Sequence, residues 1–511
     1  MPAASSKHST RTAATSSIWT DDTALLIYIA LASVVVHLIL GNRYGWNRDE
    51  LATLEDARHL AWGFPAYPPV TPFFGWLSLE LFGTSLRGFR FFANVSQAVT
   101  VVLAGLMARD MGAGRGAQLV AAVAALPFVL GGGYQMMYVA FDALAWVLVA
   151  FFVVKLLETD DARWWMAIGA SIGFGMMCKY TMGFFALSIV AGVLLTDARR
   201  YLHNKWLWIG VGLSVLVWLP NVVWQVQHNL VSLDFLSHIH ARDVRQGRTA
   251  NFLPQQLMLT GLRAALALAG IWFCLATASG KRFRIIGWMY VITLALFTVA
   301  KGRWYYMGPA YPMLYAAGAV WGEQWIARMQ RGRAMTVRWA AWAVLVFEVV
   351  FTTAFWLPLP PLNSRWWQIN NSLTGDFREQ LGWHELVAEV ARIRDTLTPE
   401  ERAHLGIIGT NYGEAGAVNL YGPEFGLPRA ISGVNSFWYR GYGDPPPQTV
   451  IILGLSAKYV NESFSNCRVA GHTPNPYHVK NEETEDHPDI RVCGPPKAGW
   501  PAFWADFRYY G

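Results

Sequence analysis

The stretch YVAFDALAWVLVAFFVVKLL, residues 138–157, decides the fold class of this chain. A helix of about 20 apolar residues crosses the hydrocarbon core of a bilayer, which is roughly 30 Å thick. Eleven segments of this character occur in the sequence. We predict membrane-spanning helices near residues 23–41, 88–107, 114–133, 138–157, 164–178, 180–196, 205–223, 256–277, 285–300, 308–326 and 338–357.

The composition agrees with a protein whose main solvent is lipid. The 511 residues are 54% hydrophobic and only 15% charged, whereas an ordinary soluble domain carries about 25% charged residues. This balance excludes a soluble multidomain enzyme and a largely disordered chain. The net charge is +7, but no stripe of Lys and Arg interleaved with aromatic residues is present, so we expect no nucleic-acid partner.

The positions of Lys and Arg in short loops predict the topology. With the N-terminus inside, sixteen of these cations fall on the inner face and eleven on the outer face. We therefore predict a cytoplasmic tail at 1–22, a transmembrane domain at 23–360 with a first periplasmic loop at 42–87, and a periplasmic α/β domain at 361–511. The large outer group of cations predicts either an anion site on that face or a different topology.

The C-terminal region has the pattern of a small α/β domain. Residues 377–395 have helical periodicity, and GIIGTN and TVIILG, at 406–411 and 449–454, are typical of buried strands. Two cysteines, Cys467 and Cys493, could form a disulfide if this region is exported.

The first outer loop contains the candidate catalytic residues. Arg48, Asp49 and Glu50 follow the first span directly and precede a short amphipathic helix and a proline-rich turn. A carboxylate beside an arginine in a partly dry aromatic loop can act as a base or bind a cation. Asp49 is also in the right place to cap the helix that follows, whether or not it takes part in chemistry.

Two ionisable residues lie at the predicted membrane boundary on the same outer side. Asp142 opens the fourth span, and Lys179 lies at the tight joint between the fifth and sixth spans. Such residues are costly in a membrane and are usually functional. The simpler interpretations are a helix cap for Asp142 and a lysine that extends to the interface for Lys179.

The loop between the seventh and eighth spans, and the segment after the ninth, supply further cations. Arg242 and Arg245 suit a phosphate, because guanidinium groups bind it bidentately. His238 and His240 could ligate a metal, although the two rings of an HxH pattern on a helix point apart. A solvated helix on the membrane surface explains the same residues. After span nine, the candidate site residues are Lys301, Arg303 and Tyr306.

Several of these segments, in this order, resemble a family of bacterial membrane enzymes. They are RDELATLEDARHLAWGFPAYPPVTPFFGWL, VAFDALAWVL, GFGMMCKYT, PNVVWQVQHNLVSLDFLSHIHARDV and WYYMGPAYPML. The resemblance covers about residues 23–330. The family is that of the polyprenyl-phosphate-sugar glycosyltransferases related to protein O-mannosyltransferases and to the lipid A aminoarabinose transferase. The resemblance implies the GT-C membrane fold, with about 11 transmembrane helices.

The resemblance also implies roles for individual residues. The catalytic carboxylate of the family falls on Asp49, with Glu50 adjacent, and the cations that hold the lipid-linked phosphate fall on Lys179 and Arg303. Asp234 stands where we expect many relatives to carry a basic residue, which is a departure from the pattern.

The implied function is inverting transfer of a sugar from a polyprenyl-phosphate donor to an acceptor outside the bacterial inner membrane. The acceptor class stays open among lipid A, another glycan, a lipid and a protein. No cofactor is assigned, and a divalent metal is left open. The alternatives are a polytopic transporter or lipid flippase without covalent chemistry, and a non-catalytic membrane scaffold.

Overall fold

The computed structural model describes residues 22–511. Residues 1–21 of the predicted cytoplasmic tail lie outside the described residues. The helices of the membrane part are α1 Asp22–Leu40, α2 Arg48–Arg58, α3 Val70–Phe82, α4 Leu86–Phe89, α5 Phe91–Asp110, α6 Arg115–Gly133, α7 Tyr138–Thr159, α8 Trp164–Met176, α9 Met182–Leu195, α10 Lys205–Gln227, α11 Val231–Arg245, α12 Phe252–Thr260, α13 Ala264–Ala276, α14 Arg284–Val299, α15 Tyr311–Ala327 and α16 Arg331–Trp356.

Within the described part of the chain, eight helical segments are long and apolar enough to cross a membrane. They are α1, α5, α6, α7, α10, the pair α12 and α13, the segment ending in α14, and α16. The other three predicted spans are the shorter helices α8, α9 and α15, of 13, 14 and 17 residues. The prediction of a polytopic α-helical membrane protein is confirmed.

Small residues allow neighbouring helices of the bundle to approach closely. A Cβ atom at Gly169 of α8 would overlap the backbone of Gly210 in α10. Gly270 of α13 and Gly318 of α15 make a second contact of this kind. Without a hydrophobic driving force between helices in lipid, such backbone contact is a main source of helix association.

The charged loops gather at the two ends of the bundle. At one end, Lys155 forms ion pairs of 2.9 and 3.0 Å with Asp110 and Glu158, and Arg282 donates to the Glu158 carbonyl at 2.8 Å. At the other end, α2, the joint between α8 and α9, α11 and the segment after α14 meet the C-terminal region around one cavity. The residues that the sequence assigns to the outer side therefore lie at one end.

The C-terminal region forms a mixed five-stranded sheet surrounded by short helices. The strand order is β2-β1-β3-β5-β4, with β1 parallel to β2 and β3, and β5 antiparallel to β3 and β4. A disulfide joins Cys467 to Cys493. The elements are α17 Arg365–Leu373, α18 Trp383–Asp395, α19 Pro399–Ala403, β1 Leu405–Gly409, α20 Tyr412–Tyr421, β2 Ala430–Ile431, β3 Thr449–Leu453, α21 Ala457–Ser463, β4 Arg468–His472, α22 Glu482–Glu485, β5 Asp489–Cys493 and α23 Trp500–Asp506.

One feature of this region differs from the sequence-based expectation. The helix predicted over 377–395 begins only at Trp383, because Gly382 takes a left-handed conformation with φ 91°. Helix α2 also packs against the C-terminal domain: its Leu51 and Leu54 share a hydrophobic core with Val387. Helix α2 is therefore held by the sheet region as well as by the membrane bundle.

Candidate active site

One face of α2 lines the cavity at the end of the bundle that meets the C-terminal region. The helix starts with a capping box, in which the Asn47 side chain accepts from the backbone at N3 and the Glu50 carboxylate accepts from the Asn47 N–H. Asp49, Ala52, Thr53 and Asp56 contribute to the cavity wall. Their spacing of i, i+3, i+4 and i+7 places them on one side of an α-helix. The predicted loop carboxylate and a second carboxylate thus face the same space.

The cavity has a volume of about 400 Å³, within the range of small-molecule sites. Its wall combines aromatic rings with fixed charges. The charged or titratable lining residues are Asp49, Asp56, Tyr67, Tyr138, Lys179, Tyr180, His240, Arg242, Asp243, Lys301, Arg303, Tyr306 and Tyr412.

Asp49 is positioned by the C-terminal domain. The Tyr412 hydroxyl, in the first turn of α20, donates to Asp49 Oδ1 at 2.8 Å. Burial, reinforced by the neighbouring carboxylate of Asp49, raises the pKa of Tyr412, so the phenol keeps the proton that it donates. One oxygen of Asp49 is thereby oriented, and Oδ2 makes no hydrogen bond to any residue in 22–511.

Glu50, predicted as the adjacent catalytic acid, has a different environment. It is fully buried and does not line the cavity. Arg90 donates to both its oxygens, from Nε at 2.8 Å and Nη2 at 2.6 Å. The backbone N–H groups of Asn47 and Met136 donate as well, at 3.0 and 2.9 Å. Because the helix turns about 100° per residue, Glu50 points into the protein and has the contacts of a structural residue.

Lys179 lies in the cavity wall, surrounded by tyrosines. Its Nζ is 4.9 Å from the ring centre of Tyr138, 5.2 Å from that of Tyr305 and 4.0 Å from that of Tyr306. Cation–π contacts of this kind hold an ammonium group without neutralising it. Burial lowers the pKa of Lys179, and no carboxylate among residues 22–511 forms an ion pair with it, so an anion bound in the cavity supplies the missing counter-charge.

Asp142 lies behind the wall. Its Oδ1 accepts from Trp146 Nε1 at 3.0 Å and its Oδ2 from the Thr181 hydroxyl at 3.2 Å. Thr181 follows Lys179 by two residues, so these contacts fix the joint between α8 and α9. Asp142 orients the segment that carries the lysine and does not itself border the cavity.

A buried carboxylate organises the arginines of the cavity. Arg303 Nε donates to Asp243 Oδ2 at 2.6 Å, and Arg242 and Arg248 lie 3.9 and 3.7 Å from Asp243 Oδ1. Three guanidinium groups thus share one acid, which leaves excess positive charge beside Lys301 on the same wall. The sequence offered a signal for Asp243, since it directly follows Arg242, but only the fold brings Arg303 to it.

Other predicted site residues lie farther from the cavity. Arg245 is exposed and outside the lining, and His238 is exposed with its ring 5.8 Å from that of Tyr510. Arg48 pairs with Glu482 of α22 and lies 3.7 Å from Glu379. These contacts make Arg48 a link between α2 and the C-terminal domain.

Asp56 is a cavity residue that the sequence did not reveal. Tyr67 donates to its Oδ2 at 2.7 Å, and Ser436 and Arg440 donate to its Oδ1 at 2.6 Å each. Burial raises the pKa of the Asp56 carboxyl, while Arg440 and the hydroxyl donors oppose that rise. Two of these partners lie about 380 residues downstream, so no local pattern indicates the cluster.

Two buried acids hold the start of α20, which carries Tyr412: Glu414 accepts from the Asn411 N–H at 3.2 Å, and Glu483 accepts from the Asn411 side chain at 3.1 Å. Burial raises the pKa of Glu414 to about 8 and that of Glu483 to about 7. Among residues 22–511, no group of three or more His, Cys, Asp and Glu side chains is arranged to hold a metal ion.

Comparison with known proteins gives three findings. The dolichyl-phosphate-mannose-protein mannosyltransferase family matches residues 66–224. The lipopolysaccharide core galacturonosyltransferase RgtB of Rhizobium johnstonii is 24% identical over 242 residues, which are 45% of this chain and 47% of that protein. The chain thus matches about half the length of this curated relative.

Two structures of ArnT from Cupriavidus metallidurans, one bound to undecaprenyl phosphate and one apo, have 15% identity to the chain. They align with TM-scores of 0.57 and 0.58 over 92% of this chain and 97% of theirs. At this identity the likeness establishes the fold. The chain has the GT-C fold, and its predicted resemblance to GT-C glycosyltransferases is confirmed.

Proposed function

Starting from the GT-C fold, we propose that this chain is an inverting glycosyltransferase that uses a polyprenyl-phosphate sugar as donor. The observation that carries the proposal is the cavity in which Asp49 faces the same space as Lys179, Lys301, Arg242 and Arg303. Transfer of a sugar from a lipid phosphate requires these two elements, a base and a cluster of cations.

In the proposed reaction, an acceptor hydroxyl oxygen attacks the anomeric carbon from the side opposite the phosphate. The new C–O bond forms as the bond from the anomeric carbon to the phosphate oxygen breaks, which inverts the configuration. Asp49 takes the hydroxyl proton through Oδ2, while Tyr412 holds Oδ1 in place. A positioned base of this kind contributes about 10²- to 10⁴-fold to the rate.

The leaving group is polyprenyl phosphate, whose charge grows on the phosphate oxygens. Lys179 and Arg303 are already held by tyrosine rings and by Asp243, so little reorganisation is needed as the charge develops. Preorganised cations in a site shielded from water are an effective source of transition-state stabilisation. Since a phosphate is a stable anion, the mechanism needs no general acid.

The same proposal covers topology and location. We place residues 1–22 in the cytoplasm, residues 23–360 in the inner membrane of a bacterium, and the cavity with residues 361–511 in the periplasm. The undecaprenyl phosphate bound in one ArnT structure supports a lipid-linked donor. The acceptor is a glycan, lipid or protein on the periplasmic side.

The test uses purified protein in liposomes with labelled polyprenyl-phosphate sugars and candidate acceptors. We expect coupled release of polyprenyl phosphate and transfer of sugar, lost in Asp49→Asn while the donor still binds. Lys301→Gln is a control in the same cavity and should weaken donor binding without abolishing turnover. Movement of labelled lipid across the bilayer without bond cleavage would instead identify a flippase.

A further inference from the structure

A second cavity adjoins the proposed donor cavity on the other side of α2. Its volume is about 730 Å³, and it lies between the loop after α2, the end of α10 and the C-terminal domain. Glu55, the neighbour of Asp56, faces this cavity, and Ser436 borders both spaces. The cluster of Asp56, Ser436 and Arg440 therefore lies at the boundary where the two cavities meet.

Aromatic rings form one side of the second cavity. Trp224 and His228 are stacked, with ring centres 4.0 Å apart and planes inclined by 16°. Tyr439 approaches His228 edge-on at 5.8 Å and is 43% exposed. The loop after α2 packs closely on this surface and holds it in place: a Cβ at Gly63 would overlap the Trp224 ring. An exposed tyrosine beside a rigid stacked pair offers a flat apolar face to a ligand.

Polar groups that can donate and accept hydrogen bonds form the opposite side. Arg429 contacts His59 at 3.2 Å and has no carboxylate partner among residues 22–511. Asn419 donates to Glu55 Oε2 at 2.9 Å, so the amide and the carboxylate are held at the rim. Arg440 Nη1 lies 3.7 Å from Glu55 Oε2 and fixes the position of this carboxylate.

We propose that this second cavity binds a carbohydrate, the acceptor of the transfer reaction. Sugar rings carry an apolar C–H face that packs on aromatic rings and a rim of hydroxyls that pair with carboxylate, amide and guanidinium groups. The cavity presents those two kinds of surface on opposite sides. Ser436 borders both cavities, so the reacting sugar of an acceptor held here reaches the donor cavity, and Asp49, past Ser436. This inference rests on the proposed transferase function.

Binding is measured directly, without donor, on the full-length protein in a detergent that has no sugar headgroup. The probe is an immobilised panel of neutral, amino and acidic mono- to tetrasaccharides, and the best binder is then titrated by calorimetry. We expect Tyr439→Ala to weaken binding about tenfold, as expected for the loss of an aromatic contact. Tyr439→Phe keeps the ring and should bind as the unmodified protein does.

Two matched controls exclude general damage. Tyr459, 36% exposed on α21 and outside both cavities, should tolerate replacement by Ala without loss of binding. Arg429→Gln should weaken binding, whereas replacement of the exposed Arg402 by Gln should not. No binding across the whole panel, or equal affinity in Tyr439→Ala, Arg429→Gln and the unmodified protein, overturns the proposal.

This design distinguishes failure of the proposed transferase function from failure of the proposed carbohydrate site. Lys179→Gln, which alters only the donor cavity, should bind the sugar normally although it transfers poorly. Sugar binding that persists in a protein without any transfer activity rejects the transferase and retains the carbohydrate site. Transfer that proceeds normally in Tyr439→Ala rejects the second cavity as the acceptor site.

Discussion

Replacement of Glu50 by Gln tests whether Glu50 stabilises the fold, in contrast to its neighbour Asp49 in α2. Glu50 is 0% exposed and its ion-pair partner Arg90 is 1% exposed. Each Glu50 oxygen accepts two hydrogen bonds, one from Arg90 and one from a backbone N–H. In glutamine, one of these oxygens becomes an NH₂ group, which cannot accept from two donors and leaves the arginine charge uncompensated.

Removal of one partner from a buried ion pair costs about 3–5 kcal/mol. We therefore expect Glu50→Gln to lower the midpoint of thermal unfolding of the detergent-solubilised protein by several degrees. Asp49→Asn, one residue away, should leave that midpoint unchanged, because Asp49 faces the cavity and accepts one side-chain hydrogen bond. The two variants are thus matched in sequence position and in chemistry.

The assay is thermal unfolding followed by size-exclusion chromatography with fluorescence detection, repeated in a double-mutant cycle with Arg90→Gln. We expect a coupling energy of at least about 2 kcal/mol, because each single variant leaves the other partner buried alone. Asp161→Asn breaks the exposed pair with Arg163 and should have no measurable effect. If Glu50→Gln melts like the unmodified protein, or if the two changes are additive, the structural role assigned to Glu50 is wrong.

Four further outcomes follow from the site and the C-terminal domain. Asp49→Asn should lower sugar transfer by about 10²- to 10⁴-fold without changing donor affinity, and undiminished transfer would exclude Asp49 as the base. Arg303→Gln should weaken donor binding about tenfold, roughly the value of a charge-assisted hydrogen bond, as read from binding of labelled polyprenyl phosphate at two ionic strengths. Burial raises the pKa of Glu414 from its ordinary value of 4.5 to about 8, so the folded state holds the proton more tightly. This stabilisation is complete below about pH 4.5 and is lost as the pH rises towards 8, and Glu414→Gln should flatten that decline in thermal unfolding from pH 5 to 9. Reduction of the Cys467–Cys493 disulfide, which spans 26 residues, should destabilise the C-terminal domain by ~3 kcal/mol, and unchanged unfolding of a Cys467→Ser variant would contradict this.

Much of the membrane architecture can be predicted from local patterns. The helix predicted over 138–157 extends from Tyr138 to Thr159, because a long apolar run in a bilayer satisfies its backbone only as a helix. Two strands of the C-terminal sheet, β1 and β3, also lie where short apolar runs predict them. The short helices α8 and α9 have the weakest signal, since their length of 13 and 14 residues is below a full span.

Some residues of the candidate site can likewise be predicted from the sequence, and others cannot. Asp49, Lys179 and Arg303 carry signals in the sequence, because charged residues beside apolar spans are conspicuous and the family resemblance orders them. Asp56 carries no such signal, since Ser436 and Arg440 reach it only after the C-terminal domain has packed against α2. Its position in a charged, amphipathic helix does not indicate that it lines a cavity.

By itself, the sequence determined the positions and the apolar character of the hydrophobic segments and the family resemblance, since these depend on composition and periodicity along the chain. Only the tertiary structure decided which charges are free to act. It buries Glu50 against Arg90 and leaves Asp49 in the cavity, although the two carboxylates are neighbours. The physical reason is that a carboxylate's role depends on its solvation and its partners, and residues far apart in the chain supply both.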